Sequence, residues 1–415
     1  MQGSKRQRRS RYYQRRNRRN RRRAAKRTTY QYPLTRHHVE ALARGTLQQT
    51  LGWEDQGPKA TVVVVLQILL LAAAHMASIA AVCQDFGGLC DQTVYDFLDA
   101  CLPARIETLG RRLNQALRQR LPRRLTRRKR RVAVDWHLIP YHGEPKKKKR
   151  ELLHSQPKSG TTKFHGYATA CVVESGLRFT VALTHVYAGE AQVEVMERLL
   201  EEIRQAGVRI KVLLLDRAFF SVTLMHHLQS QQIPFLMPVV LRGRRPKPGK
   251  PSKGMRRFLR QSAGWHSHTL SSGGKTVTFR VCVTSKSYRH HRTQKRRTKK
   301  LLYAAWGVSG QPREIRELYR TRFGIETSYR QLKQARIQTS TRDPIERLLY
   351  VGIALVLRNV WVWVHWTYLA EHGASGSESD ESSVRLHLEK LRFRRLLRWI
   401  ILAITCSPRN RWPPS

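Results

Sequence analysis

The decapeptide "VAVDWHLIPY", residues 132–141, marks the point where the composition of the chain changes. The preceding stretch, 111–131, is strongly basic, whereas Val132 begins an apolar run that ends in polar residues. A short apolar run of this kind favours a buried β-strand. We therefore predict that a new domain begins near Val132 and that its first strand brings Asp135 to the edge of a sheet.

The segments that follow predict a mixed α/β sheet, because strand-like and helix-like patterns alternate along them. Apolar and β-branched runs indicate the strands, and amphipathic spacing indicates the helices. In order, they are a hairpin of "FHGYATACVV" (164–173) and "LRFTVALTHV" (177–186), a helix at "AQVEVMERLLEEIRQAG" (191–207), a strand at "IKVLLLDRAFF" (210–220), a helix near 221–231 and a strand at "IPFLMPVV" (233–240). The first strand and these elements together predict an α/β domain.

Two aspartates stand where predicted strands end, Asp135 after "VAV" and Asp216 after "VLLL". A single acidic residue at a strand end is most often a helix cap or an ion-pair partner. Together with Glu326, however, the two supply three carboxylates with hard oxygen ligands. Two Mg²⁺ ions need such ligands to hold the attacking and leaving oxygens of a phosphodiester. We interpret Asp135, Asp216 and Glu326 as candidate catalytic residues and metal ligands.

Glu326 lies in "YRTRFGIETSYRQLK", residues 319–333, among arginines, lysines and tyrosines. If the segment is one helix, at about 100° per residue, Tyr319, Arg322, Glu326 and Lys333 project within roughly 60° of one another. A solvated charged face is the ordinary explanation of such a stripe. Phosphoryl transfer also requires positive groups for the charge of the scissile strand, so the stripe is a candidate DNA-binding face.

The spacing Tyr319-(2)-Arg322-(3)-Glu326-(6)-Lys333 resembles the Tyr-Arg-Glu-Lys signature of insertion-sequence DDE transposases of the insertion sequence 4-like group. The segments "VAVDWH" and "LLLDRAFF" resemble the first and second Asp motifs of that family. The resemblance covers about residues 60 to 370. It implies a ribonuclease H-like catalytic core with an inserted β subdomain, and cut-and-paste DNA transposition.

In this family, metal-activated water cuts the transposon end, and the freed 3′-OH then attacks target DNA. The resemblance assigns Asp135, Asp216 and Glu326 to catalysis and metal binding, and Tyr319, Arg322 and Lys333 to DNA binding. It implies two Mg²⁺ ions, with Mn²⁺ as a substitute. The implied partner is double-stranded DNA, both terminal inverted repeats and target, held by a homodimer in the synaptic complex. The implied location is the prokaryotic cytoplasm, in association with the nucleoid and without a membrane.

The overall charge agrees with a polyanionic partner. Lys and Arg number 79 against 28 Asp and Glu, which gives a formal net charge of +51. The basic residues recur in blocks along the whole chain, which favours nucleic acid over a membrane surface. Two alternatives to a transposase stay open: a nuclease of the same fold without strand transfer, and a non-catalytic basic nucleic-acid-binding protein.

Composition and element patterns together suggest a domain organisation. Residues 1–27 hold fourteen Arg or Lys and no acid, which predicts a disordered arm. Within the helical region, "SIAAVCQDFGGLCDQTVYDFLDACLP" predicts two short helices about a Gly turn, either a helix-turn-helix or a plain helical hairpin. The predicted units are an arm (1–32), a helical DNA-binding domain (33–130), the catalytic core (131–240 and 301–370), a basic β-rich insertion (241–300), a polar linker (371–383) and a C-terminal basic helix with tail (384–415).

One uncharged stretch, residues 61–83, is long enough to cross a bilayer. Its Gln67, His75 and Ser78 and its many alanines favour a buried helix in an all-α domain instead. Six cysteines occur without a C-x-x-C pair, and the N-terminus does not resemble a signal peptide. We therefore expect neither a zinc site nor disulfides, and a reducing compartment.

Overall fold

The computed structural model describes residues 34–174, 178–241, 253–289, 291, 293–365, 367 and 392–406. The predicted arm and polar linker, and parts of the insertion and the C-terminal segment, lie outside the described residues. The helices are α1 Arg36–Leu51, α2 Val62–His75, α3 Ile79–Phe86, α4 Asp91–Cys101, α5 Ile106–Arg118, α6 Arg123–Arg127, α7 Gln192–Gln205, α8 Val222–Ser230, α9 Pro312–Arg320, α10 Phe323–Leu332, α11 Pro344–Val364 and α12 Phe393–Thr405. The strands are β1 Arg130–Pro140, β2 Leu153–Lys158, β3 Thr161–Val172, β4 Thr180–Val186, β5 Ile210–Leu215, β6 Phe235–Pro238, β7 Gly264–Ser272, β8 Lys275–Arg289 and β9 Arg296–Trp306.

The described strands form one nine-stranded mixed sheet in the order β2-β3-β1-β5-β6-β9-β8-β7, with β4 paired to β3. Strand β1 is antiparallel to β3 and parallel to β5, which is in turn parallel to β6. Three antiparallel strands followed by two parallel strands with helical connections form the mixed α/β architecture that the sequence predicts. Strand β5 ends at Leu215, opposite Val134 in the middle of β1, which continues to Pro140 because β3 pairs with it as far as that residue. The prediction that Asp135 stands at a strand end is therefore wrong: Asp135 lies within β1, and only Asp216 follows the end of its strand.

Alternating residues of β1 and β5 face two different apolar layers. Val132 and Val134 pack with α7 and α8 on one face, whereas Ala133 packs with α9 and α10 on the other. Because side chains alternate along a strand, Asp135 faces the same side as Ala133. The sheet thus presents its first acidic residue to the helix that carries Glu326.

The β-rich insertion continues the central sheet. Strand β9 pairs antiparallel with β6, with Phe235 opposite Trp306, and β8 and β7 follow as antiparallel neighbours. The basic block at 286–300 lies on the long β8–β9 hairpin, where Lys286 pairs with Lys299. The insertion therefore places basic residues of both strands at the far end of a two-stranded ribbon.

The N-terminal helices, α11 of the predicted catalytic core and the C-terminal helix share a single apolar core. Helices α1 to α5 pack with α11 and with the C-terminal helix α12, which contacts α1 and α2. Buried residues of this core include Leu47, Leu66, Leu70, Phe97, Leu113, Ile353, Leu396 and Ile400. The two ends of the described chain therefore stabilise the same helical layer.

The predicted single buried helix over 61–83 is interrupted. Helix α2 ends at His75, its C-cap residue Met76 adopts a left-handed conformation (φ 57°), and α3 begins after Ser78 at a bend of 105°. The side chains of Thr61 and Ser78 each accept a hydrogen bond from a backbone N–H and cap the two helices. The predicted pair of short helices about Gly87 and Gly88 is confirmed as α3 and α4, and Cys90 is the N-cap residue of α4.

Helix α11 is by itself long and apolar enough to span a membrane, but 89% of its apolar window is buried inside the protein. Its middle carries Arg358 and Asn359, both buried. The Arg358 guanidinium donates to Gln331 Oε1 (3.1 Å), and the Asn359 amide bonds both backbone groups of Thr180. These polar contacts to the core show that α11 is the central helix between the helical layer and the sheet.

Candidate active site

The first two carboxylates come from neighbouring parallel strands. Val134 of β1 pairs with Leu215 of β5, so the residues that follow them, Asp135 and Asp216, emerge next to each other. Strand β5 ends at Leu215, and Asp216 begins a 3-10 turn over Arg217–Phe219. The sheet ends here on the β5 side, whereas β1 continues to Pro140, so Asp135 lies within its strand and Asp216 follows the end of β5.

The predicted continuous helix over 319–333 is wrong. Helix α9 ends at Arg320 and α10 begins at Phe323, with two backbone bonds of the 3-10 type at the break: Thr321 donates to Leu318, and Arg322 donates to Tyr319. Thr321 and Arg322 keep right-handed helical dihedrals at this break, and Tyr319 and Arg322 are buried, at 7% and 6% exposed. They do not form the exposed stripe with Lys333 that a single helix would give.

Arg322 brings the three acidic residues together. Its Nη1 lies 3.0 Å from Asp135 Oδ2, and its Nη2 lies 3.4 Å from Asp216 Oδ1 and 3.2 Å from Glu326 Oε1. Since one guanidinium reaches all three carboxylates, the three acids surround a common point. Their side chains come from β1, from the turn after β5 and from the first turn of α10.

The three carboxylates differ in environment. The Asp135 side chain is 15% exposed, whereas the side chains of Asp216 and Glu326 are 40% and 41% exposed. Burial raises the pKa of Asp135 to about 6, and the Asp216 charge adds to this, although Arg322 and the Trp136 N–H oppose it. Asp135 is therefore the innermost acid, and the other two border solvent.

Tyr319 supports the centre from behind. Its hydroxyl donates to the Leu215 carbonyl oxygen (3.1 Å), which belongs to the last residue of β5 before Asp216. Its ring packs on Tyr303, with centroids 4.9 Å apart, and the Arg322 guanidinium lies 5.8 Å from the Tyr319 ring centroid. Burial raises the pKa of Tyr319, so the hydroxyl stays protonated and able to donate.

An open groove passes over the three carboxylates. One side is formed by α10 with Arg330 and Lys333, and the other by the edge strand β2 with His154 and Lys158. The floor includes Asp135, Asp216, Glu326, Trp136, His137 and Tyr329. Of the three residues predicted to bind DNA, Lys333 borders this groove, whereas Tyr319 and Arg322 lie beneath it.

The site offers oxygen donors of the type that Mg²⁺ prefers, but their positions do not form a coordination site. No group of three or more His, Cys, Asp or Glu among the described residues is close enough to hold a metal ion as it stands. The Arg322 guanidinium lies between the carboxylates where a cation would be expected. The donor set fits divalent cations in type and number, provided that Arg322 leaves the centre.

Sequence reasoning missed the residues that hold this centre together. Tyr329 packs against the sheet, and its hydroxyl bonds the backbone of Asp135. Trp136 stacks on Phe219 with centroids 5.3 Å apart, which joins the two Asp-bearing segments. The i, i+3 spacing of Tyr329 from Glu326 is the one signal in the sequence that could have indicated its place beside the site.

Comparisons with known proteins agree with this geometry. The family model described as "Transposase DDE domain" matches residues 126–358. A structure described as a cryo-EM structure of piggyBac transposase synaptic complex with hairpin DNA aligns with a TM-score of 0.51 at 12% identity, covering 91% of this chain and 83% of that chain. At this identity the likeness shows the fold alone, and it confirms the predicted ribonuclease H-like core. A search of curated proteins found no match.

The family match includes Asp135, Asp216 and Glu326 and all of the strands that position them. It covers more than half of the chain, which is sufficient to establish membership. The function that membership implies is DNA transposition by a metal-dependent enzyme, in preference to a non-catalytic nucleic-acid-binding protein. The chain therefore belongs to the transposase DDE domain family.

Proposed function

We propose that this transposase cuts and joins DNA at the centre formed by Asp135, Asp216 and Glu326. The observation that carries the proposal is the convergence of three carboxylates, from three separate elements, on the single guanidinium of Arg322. Packing alone does not require acids next to each other on two adjacent strands and on a third element. A site that binds divalent cations does require them.

We further propose that the cations are two Mg²⁺ ions, with Mn²⁺ as a substitute, held by the same three side chains. Bound there, they supply Lewis acidity that activates the attacking oxygen and stabilises the leaving 3′ oxygen. The chain's own contribution is to hold the carboxylates and to orient the phosphodiester. Arg322, once outside the carboxylate centre, and Lys333 on the groove wall are the proposed phosphate contacts, with Tyr319 fixing the turn that carries Arg322.

The proposed substrates are the terminal inverted repeats of the transposon and a target duplex. The groove over the carboxylates is bordered by Lys158, Arg330 and Lys333, and positive charge on both walls suits a DNA backbone. Placement in the insertion sequence 4-like group, a homodimer in the synaptic complex, and a nucleoid-associated location in a prokaryotic cytoplasm belong to the same proposal. They rest on the Tyr-Arg-Glu-Lys spacing.

The test replaces each acid by its amide, Asp135→Asn, Asp216→Asn and Glu326→Gln. Each change removes a negative charge with little change in shape, so the fold should survive. Nicking of a labelled transposon end in Mg²⁺ should fall by several orders of magnitude, while end binding in a gel shift remains. Glu317→Gln is the matched control, because Glu317 is an exposed acid of α9 whose ion pair is with Arg320. It should nick at the wild-type rate.

Wild-type nicking by Glu326→Gln would show that the assignment of the centre is wrong. A second measurement asks whether the cut ends become joined to a target duplex. Joined products would distinguish a transposase from a nuclease without strand transfer. If the wild-type protein nicks ends and never joins them to target, the nuclease alternative is correct.

A further inference from the structure

One tyrosine connects the helix that carries Glu326 to the strand that carries Asp135. Tyr329 lies one turn after Glu326 in α10. Its hydroxyl oxygen is 2.9 Å from the Asp135 carbonyl oxygen and 2.8 Å from Thr169 Oγ1. Thr169 is the residue directly opposite Asp135 in the β1–β3 ladder. A single side chain of α10 therefore contacts both strands at the level of the innermost acid.

Proton counting fixes the direction of both hydrogen bonds. A carbonyl oxygen can only accept, so Tyr329 donates its one hydroxyl proton to Asp135. The Thr169 hydroxyl must then donate to the Tyr329 oxygen. Burial, together with the Asp135 charge, raises the pKa of Tyr329 well above its usual value, so the phenol keeps the proton that this arrangement needs.

The ring of Tyr329 is held as firmly as its hydroxyl. It stacks on His137, with ring centroids 4.7 Å apart and planes inclined by 21°. Burial lowers the pKa of His137 to about 4, so this ring is neutral near pH 7. The stack and the two hydrogen bonds constrain the position of α10 against β1 from two sides.

Such a constraint matters because the other end of α10 is held by the ion pairs of its N-cap residue Arg322, and these must break before a cation can bind the carboxylates. Helix α10 begins at the break after Arg320, and its first turn has no side-chain cap. Two carboxylates that share a cation must keep their separation to within a few tenths of an ångström. The distance from Asp135 to Glu326 depends on how α10 sits on the sheet.

We propose that Tyr329 is a positioning residue that sets the separation of Asp135 and Glu326 and thereby the affinity of the centre for divalent cations. This inference rests on the proposed function of the three carboxylates. Tyr329 acts through the Asp135 backbone and α10, and it contacts no reacting atom. Loss of its hydroxyl should weaken cation binding and leave DNA binding unchanged.

The first experiment is Tyr329→Phe, which keeps the ring and the stack and removes the hydroxyl. The Mg²⁺ concentration for half-maximal nicking should rise about 10-fold or more, the usual effect of removing a group that orients a metal ligand. Binding of Mn²⁺ to the complex with a transposon end, followed by electron paramagnetic resonance, should weaken by the same factor. The gel-shift affinity for the end should stay at the wild-type value.

The second experiment changes the partner. Thr169→Val removes the hydroxyl that holds Tyr329 and should produce a smaller shift in the same direction, whereas Thr169→Ser keeps a donor and should restore the wild-type midpoint. The double variant should be no worse than Tyr329→Phe alone, because the two hydroxyls act as one unit. If Tyr329→Phe fails to fold, the Thr169 pair tests the same prediction.

Tyr350→Phe is the matched control. Tyr350 is a buried tyrosine in α11 whose hydroxyl bonds Glu346 in the same helix. Its replacement should lower thermal stability without moving the Mg²⁺ midpoint, which separates a general packing effect from a positioning effect.

Two results would overturn the inference: a wild-type Mg²⁺ midpoint in Tyr329→Phe and Thr169→Val, or an equal loss of DNA and Mn²⁺ affinity in both. Either result with Glu326→Gln inactive would leave the proposed function standing. An active Glu326→Gln protein would instead remove the proposed function itself.

Discussion

Arg322 is the residue whose environment differs most from the expectation of an exposed DNA contact. It is buried and forms ion pairs with all three acids, and no other described cation does so. In the absence of DNA and metal, its charge offsets the mutual repulsion of the carboxylates. If the three acids bind metal as proposed, metal and Arg322 compete for one position. DNA phosphate would favour metal loading by offering Arg322 another anion.

Arg322→Ala should therefore bind Mn²⁺ more tightly than the wild-type protein when DNA is absent. Without metal it should be less stable by about 1–3 kcal/mol, a value reduced because two of the three acids border solvent. Differential scanning fluorimetry with and without Mn²⁺ measures both effects, since a ligand raises the melting temperature according to its affinity. Arg320→Ala is the control, because Arg320 is exposed and pairs with Glu317. Equal Mn²⁺ affinity in the wild-type and Arg322→Ala proteins would contradict the competition.

At the scale of elements, two asparagines join the helical layer to the edge of the sheet. The Asn114 side chain of α5 accepts from the Leu183 N–H (2.8 Å) and donates to the Leu183 carbonyl oxygen (2.9 Å). The Asn359 side chain of α11 bonds Thr180 in the same way, at 3.1 Å and 2.7 Å. Each amide satisfies two backbone groups of β4 that a further strand would otherwise satisfy. They close this edge of the sheet and hold β4 to both helices.

Asn114→Ala should lower the free energy of unfolding by about 2–4 kcal/mol, because it leaves two buried backbone groups without a partner. Asn114→Asp keeps the hydrogen-bond acceptor and loses the donor, so it leaves one backbone group without a partner where Asn114→Ala leaves two. It also buries a negative charge, which lowers the free energy of unfolding in addition. Urea denaturation followed by circular dichroism measures the change. Gln115→Ala is the matched control, since Gln115 is exposed on the same helix and should leave stability unchanged. Wild-type stability of Asn114→Ala would show that these two bonds contribute nothing.

At the scale of the whole molecule, the basic residues of the arm should contribute affinity for any DNA but not recognition of a particular DNA end. The arm, residues 1–32, lies outside the described residues, so its role is a prediction from sequence. With fourteen basic residues and no acid in positions 1–27, it should add sequence-independent affinity by releasing counterions from the duplex.

Deleting the arm should weaken binding to any duplex and reduce the slope of log affinity against log salt by several units, at about 0.9 for each phosphate that the arm neutralises. The measurement is fluorescence anisotropy with end and random duplexes over a range of salt concentrations. An arm of the same length with glutamine in place of Arg and Lys is the control, and it should behave like the deletion. Loss of preference for the transposon end with unchanged nonspecific binding would instead identify the arm as a reader of bases.

The sequence by itself was sufficient for the fold class, and it indicated three acids that the structure brings together around Arg322. Strand patterns in this core are strong, because strands buried on both faces are continuous apolar runs, and each Asp directly follows such a run. The fixed spacing from Tyr319 to Lys333 indicated the third acid, Glu326, and the family match includes all three positions. These features are local in the chain, so they can be read without knowing how the chain packs.

Tertiary structure alone decided what surrounds the acids. Helical periodicity predicted a continuous helix with Tyr319 and Arg322 exposed, but α9 ends at Arg320 and Arg322 turns inward. The interaction that helical periodicity does not report is the attraction of the buried Arg322 guanidinium to three carboxylates. Two of these carboxylates are more than 100 residues away in the chain. Likewise, Tyr329 reaches the Asp135 backbone across 194 positions. Local propensity is a weak preference that such long-range contacts override, and no local pattern in the sequence reports them.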